Sequence, residues 1–194
     1  MGYQRQRPGW FVLCVAGVLL ALCSTAQAQD TSLKTKERVN YGRAHGGLSF
    51  LSEMSSLEAV AGTFGWGLSV GRRWGAWGAF IQMEHNIWVL TEVGGGPFDS
   101  VVNFGLGGEV LYYKQYVRSS MALGTSTALF DTILDDFGET GFFLDIRPMG
   151  YRVPLDNLII ELDPLSFIVM VPIIEGIPLV QLSYRSVVSV EVAF

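Results

Sequence analysis

From Arg43 onward the dominant signal is alternation of apolar and polar residues, a period that puts successive side chains on opposite faces of a β-strand. The last run displays it plainly. Val180, Leu182, Tyr184, Val188, Val190, Val192 and Phe194 share one face, and Gln181, Ser183, Arg185, Ser189 and Glu191 share the other, with only Ser186 and Val187 out of step. An earlier run sets Phe64, Trp66, Leu68 and Val70 against Gly65, Gly67, Ser69 and Gly71. A polar face so poor in bulk suits a narrow interior, and helical spacing is hard to find anywhere in this stretch.

The same rule predicts eight strands: Arg43 to Leu51, Gly62 to Gly71, Ala76 to Val89, Val101 to Tyr113, Tyr116 to Leu129, Gly141 to Pro148, Asn157 to Ile173 and Pro178 to Phe194. Several are long enough to cross a bilayer as tilted strands, which takes about 9 to 11 residues. The connections alternate in length: GRRWG, KQ and a stretch around Gly150 at one end, SEMSSLEAVA, TEVGGGPFDS and FDTILDDFGET at the other. Charge follows the same division. Arg72, Arg73, Lys114 and Arg152 fall in the short turns, while Glu53, Glu58, Glu92, Asp99, Asp131, Asp135, Asp136, Glu139 and Glu175 fall in the opposite loops. Aromatic residues gather near the strand ends as Trp74, Trp77, Trp88, Tyr112, Tyr113 and Tyr116, the level at which amphipathic rings meet lipid headgroups. The seventh run fits worst, since Pro164 and Pro172 interrupt it and Leu165 to Val171 is apolar on both faces. A register shift near Pro164 is expected there.

Ahead of the strands, Arg5 and Arg7 precede an apolar run from Trp10 to Leu22 and a small-residue exit, Ala26-Gln27-Ala28. This is the layout of a secretory signal peptide over residues 1–28, cleaved before Gln29. An uncleaved anchor is the alternative, but the run is shorter than the roughly 20 apolar residues of a spanning helix. A lipoprotein signal ending at Cys23 is a second alternative, set against Leu22, where such signals have a small residue. Both cysteines, Cys14 and Cys23, lie in the leader, so residues 29–194 hold no thiol. Residues 29–42 are polar and read as a flexible periplasmic segment, and 43–194 as a single domain. Without the leader the formal charge is 11 − 18 = −7, because two of the 13 basic residues and none of the 18 acidic ones leave with it. A basic patch for nucleic acid is absent from the sequence.

Backbone N–H and C=O groups left unpaired in hydrocarbon are too costly to tolerate, so only helices and closed sheets span a membrane. Alternating strands with one apolar face therefore predict an all-β fold, an antiparallel up-and-down transmembrane β-barrel of about eight strands. Closure also removes the sheet edges that would recruit other chains.

The ending SVVSVEVAF resembles the C-terminal signal of outer-membrane β-barrel proteins, in which a final phenylalanine follows apolar residues at alternate positions. That resemblance implies recognition of Val188, Val190, Val192 and Phe194 by the barrel-assembly machinery. Many members have tyrosine where Val192 stands. In size and layout the chain is similar to the small eight-stranded barrels, the group of OmpA transmembrane domains, OmpX and OmpW, which implies an outer-membrane address and surroundings of lipid and lipopolysaccharide.

The inward face is expected to carry Arg43, His45, Glu84, Glu109, Arg118, Asp145, Arg147, Glu161, Asp163, Arg185 and Glu191. In an interior just wide enough for side chains, these form a packed, ion-paired lumen; a proton path or polar pocket is the functional alternative. Glu109 and Arg118 take diagonal cross-strand positions beside the Lys114-Gln115 turn. Histidines 45 and 85 lack neighbouring His or Cys, so no metal site is expected, and no cofactor motif stands out. Glu84 and His85 are adjacent and so face opposite ways, which gives no nucleophile and base pair. The expected role is therefore non-enzymatic: a structural or surface-interaction barrel whose acidic outward loops carry recognition, with Asp131, Asp135, Asp136 and Glu139 the first candidates. A narrow conduit for small hydrophobic molecules near Leu165, Phe167 and Val169 is the alternative, and an outer-membrane lipid-modifying enzyme the third reading. Mass spectrometry of the exported protein is predicted to find Gln29 at its amino terminus.

Overall fold

A computed structural model of the chain describes residues 38–54, 61–91, 100–129, 137–155 and 158–194. The strands are β1 (Arg38–Met54), β2 (Ala61–Trp74), β3 (Trp77–Thr91), β4 (Ser100–Tyr112), β5 (Val117–Leu129), β6 (Phe137–Leu155), β7 (Leu158–Ile174), β8 (Ile177–Pro178) and β9 (Gln181–Ala193). Here β8 and β9 are two parts of one stave, because Ile174↔Ile177 and Met170↔Gln181 belong to one unbroken register. Leu179 N–H, between them, donates to the Pro172 carbonyl at 2.9 Å. Each stave pairs antiparallel with the next in sequence, and the last pairs with β1 from Tyr41↔Ala193 to Met54↔Gln181. The result is a closed, eight-stranded, up-and-down antiparallel barrel. Every stave thus has a partner on both sides, which satisfies the ladder without a free edge.

Side chains sort by the period-two rule. Trp66, Leu68, Val70, Ile81, Leu106, Leu123, Val188 and Val190 all point outward and stay exposed, Leu106 at 64 % and Leu123 at 59 %. Most charged residues of the same strands, Arg73, Glu84, Glu109, Arg118, Arg185 and Glu191 among them, are turned in and buried. A soluble barrel would have the opposite polarity, with its apolar side chains withdrawn from solvent.

The boundary differences that most change the sequence expectation fall in the first, second and sixth strands. The first strand begins at Arg38 rather than Arg43, and Tyr41 is fully buried within it. The second runs through GRRWG to Trp74, so Arg72 and Arg73 sit on a strand and face opposite ways, and the turn is only Gly75-Ala76. The sixth does not stop at Pro148 but continues to Leu155, and Arg152 lies on it rather than in a turn. Proline and glycine at Pro148-Met149-Gly150 read as a turn because either residue usually ends a strand; here they form a bulge instead. The connection holding Glu175 is equally short. Glu175 (φ 50) and Gly176 (φ 77) make a tight hairpin turn whose left-handed pair matches the twist of its strands.

The two bulges that contain a proline share one chemistry. In the β5–β6 pair the register jumps from Ser120↔Arg147 to Arg118↔Gly150, leaving Ser119 opposite Pro148 and Met149. In the β7–β9 pair it jumps from Asp163↔Val187 to Ser166↔Arg185, leaving Ser186 opposite Pro164 and Leu165. Ser119 Oγ donates to the Pro148 carbonyl, and Ser186 Oγ to the Pro164 carbonyl at 2.6 Å. Each extra residue changes the phase of its strand, so that Asp163 and Ser166, three apart, are both buried. Ser186, out of step in the sequence, therefore sits on the outer wall for a reason: it satisfies a carbonyl freed by the bulge beside it. Replacing Ser186 with alanine is predicted to cost about 1–3 kcal/mol of unfolding free energy. Threonine there should retain most of that stability, as read by urea unfolding of the vesicle-inserted protein through tryptophan fluorescence.

Candidate functional site

The lumen is filled by a continuous ladder of ion pairs. At the end nearest the short turns, Arg43 Nη2 lies 2.8 Å from both Glu109 Oε2 and Glu191 Oε2, and its Nε lies 3.0 Å from Glu161 Oε2. Arg73 pairs with Glu109 and Glu191, and Arg152 with Glu161 at 2.7 Å and Glu191 at 2.8 Å. The Tyr41 ring caps this group, with the Arg73 guanidinium 4.0 Å and the Arg43 guanidinium 4.9 Å from its centroid. Arg118 carries the chain onward. Its Nη1 is 3.5 Å from Glu109 and its Nη2 donates to Asp163 Oδ2 at 2.8 Å.

Asp163 also faces Arg147 Nη1 at 3.4 Å, which opens the second half of the ladder. Arg147 and Arg185 both reach Asp145 Oδ2 at 2.9 Å, and Arg185 grips both oxygens of Glu84. His45 Nε2 is 3.0 Å from Glu84 Oε2, and Asn86 Nδ2 donates to Glu84 Oε1 at 2.9 Å. Ser166 Oγ donates to Asp145 Oδ1 at 3.1 Å and accepts from Arg185 Nε at 3.2 Å. On the side of the long connections, buried Val101, Ala128, Phe143, Ile168, Met170 and Leu179 pack together, and Asn103 Nδ2 points to Met170 Sδ at 3.2 Å.

Glycines in the wall make this packing possible. A Cβ at Gly67 would lie 2.7 Å from His45 Nε2, and one at Gly71 would lie 2.5 Å from the Tyr41 ring. Side chains at these two positions would collide with His45 and Tyr41, their register partners on β1, which lie over them.

All eleven residues read from the sequence as inward-facing lie in this lumen: Arg43, His45, Glu84, Glu109, Arg118, Asp145, Arg147, Glu161, Asp163, Arg185 and Glu191. Arg73 and Arg152, read from the sequence as turn residues, belong there too, because β2 and β6 extend past the expected turns. A signal for them existed. The expected set held the cations Arg43, Arg118, Arg147 and Arg185 against six carboxylates, and an uncompensated buried charge is expensive. With Arg73 and Arg152 included, six guanidinium groups face Glu84, Glu109, Asp145, Glu161, Asp163 and Glu191, each of the twelve at most 5 % exposed.

The other sequence candidates lie elsewhere. Val188, Val190, Val192 and Phe194 form an exposed outward row on the last stave. Leu165 is exposed on the outer wall, and Phe167 and Val169 share its face. The inward positions at that level are Ser166, Ile168 and Met170, so the residues named for a hydrophobic conduit do not line the lumen. Glu139 is exposed near the start of β6, opposite Ile173, while Asp131, Asp135 and Asp136 lie outside the described residues.

Charged side chains buried this thoroughly depend on their partners. Removing one partner is the damaging change. The variant Glu84→Leu is predicted to lose roughly 3–5 kcal/mol of stability. The double variant Glu84→Leu/Arg185→Leu, which restores the charge balance, should recover part of it in the same unfolding measurement.

No family model and no curated protein matches this chain. Among solved structures it is similar to Neisserial surface protein A, an eight-stranded outer-membrane barrel, with a TM-score of 0.60 and 15 % sequence identity over 80 % of this chain and 97 % of that one. The likeness is one of fold, and it agrees with the small outer-membrane barrel architecture read from the alternation and the C-terminal phenylalanine.

Proposed function

We propose that this chain is an exported outer-membrane protein whose filled barrel is a rigid, non-enzymatic scaffold, holding its long connections at the cell surface for contact with lipopolysaccharide or envelope partners. The observation that carries this reading is the polarity of the wall: apolar side chains outside, and a charge-balanced ion ladder inside. Only hydrocarbon makes that arrangement favourable, and a lumen occupied by its own side chains works against solute passage. The fold likeness supports an outer-membrane address. The A-x-A exit at Ala26 to Ala28 supports export, with the short turns and both ends of the barrel on the periplasmic side. The ending at Phe194 supports handling by the barrel-assembly machinery. The acidic stretch with Asp131, Asp135, Asp136 and Glu139 is the first place to look for surface contacts, since loops on a rigid frame carry recognition.

Envelope fractionation should return the protein with outer membranes, migrating differently on a denaturing gel with and without boiling. In planar bilayers the purified barrel should give no stable conductance steps. A soluble periplasmic band would overturn the membrane reading, and a persistent open channel would replace the scaffold by a conduit.

A further inference from the structure

Arg72 stands apart from the other arginines of the barrel whose side chains are described. Arg43, Arg73, Arg118, Arg147, Arg152 and Arg185 are buried in the lumen and paired, whereas Arg72 faces out from β2 and makes no ion pair among the described residues. It continues the outward row Leu68, Val70, Arg72, Trp74, so a guanidinium lies on an apolar wall one outward step from a tryptophan. Across the wall its register neighbours are Asn40 on β1 and Ala79 on β3, and Ala79 is followed by Gly108 on β4. All of these face outward and are exposed.

The row therefore forms a shallow seat. Asn40 and Arg72 supply polar groups, Ala79 and Gly108 supply a low floor, and a Cβ built on Gly108 meets nothing closer than the Gly78 carbonyl at 3.8 Å. Trp74 and Trp77 rim the side towards the turn, and Val70, Ile81 and Leu106 the side towards the barrel's middle. A cation on a hydrocarbon-facing wall needs an anion or water within reach of its stem. The planar fork of arginine matches the oxygens of a phosphodiester, and the tryptophans mark headgroup level.

We propose that Arg72 and Asn40 bind the phosphodiester of one phospholipid of the periplasmic leaflet with a net anionic headgroup, its phosphate not neutralised by a headgroup cation, whose acyl chains lie over Ala79 and Gly108 towards Ile81 and Leu106. The seat rests on the membrane reading above, because a soluble barrel would present Arg72 to water.

The test is native mass spectrometry of the full-length barrel released from nanodiscs of phosphatidylcholine and phosphatidylglycerol mixed four to one, with the unboiled gel shift as the measure of folding. The wild type should retain phosphatidylglycerol in preference to phosphatidylcholine. Arg72→Gln should lower that preference about fivefold, the size of one interfacial cation's attraction to an anionic membrane surface. Gly108→Leu, which fills the floor where there is open space, should lower it without removing a charge. Lys114→Gln, a cation on the turn at the same end, should leave it unchanged. A folded Arg72→Gln barrel with wild-type lipid retention overturns the seat, as does an equal loss in Lys114→Gln, which would mean diffuse surface charge. Failure of the wild type to insert into these bilayers would instead overturn the membrane reading on which the seat rests.

Discussion

Six guanidinium groups and six carboxylates buried inside one closed wall are the constraint to which the rest of this barrel answers. Taking so many charges from water is affordable only if each finds an opposite partner at hydrogen-bonding distance, and here the pairs run without a gap from Glu191 and Arg73 to Glu84 and Arg185. The ladder draws on β1, β2, β3, β4, β5, β6, β7 and β9. No stave can slide by one residue without turning its charges towards the outer face. The network thereby specifies register as well as filling space, and the glycines facing it leave room for long side chains that reach across.

The outer wall faces the complementary problem. Where hydrocarbon surrounds a sheet, any carbonyl released from the ladder must be satisfied within the protein. The two proline bulges release such carbonyls at Pro148 and Pro164, and a serine on the adjoining strand meets each one. These two bulges lie beside one another, with Met149 paired to Leu165, so they share one patch of the wall. Its effect on the lumen is to keep Arg147 and Gly150, and likewise Asp163 and Ser166, facing in, which brings Arg147 within reach of Asp163. Wall and lumen are solved together at this place.

The proposed scaffold role rests on the same division of polarity: six guanidinium groups and six carboxylates fill the interior and balance one another. Adjacent Arg72 and Arg73 show how sharply the wall divides the two environments. One locks the lumen against Glu109 and Glu191, while its neighbour, turned out among tryptophans, meets whatever surrounds the barrel.

Alternation determined the all-β class, the number of staves and eleven of the inward polar side chains, because a period of two admits only one geometry and the inward charges stand out against the apolar face. Strand ends were not legible in it. Pro148-Met149-Gly150 and Gly71-Arg72-Arg73-Trp74-Gly75 carry turn residues, and whether such a stretch turns or bulges depends on the strand beside it. Arg152 and Arg73 were placed in the lumen only by closure of the sheet, which brought Glu109, Glu161 and Glu191, distant in the chain, to the one spot where two further cations were needed.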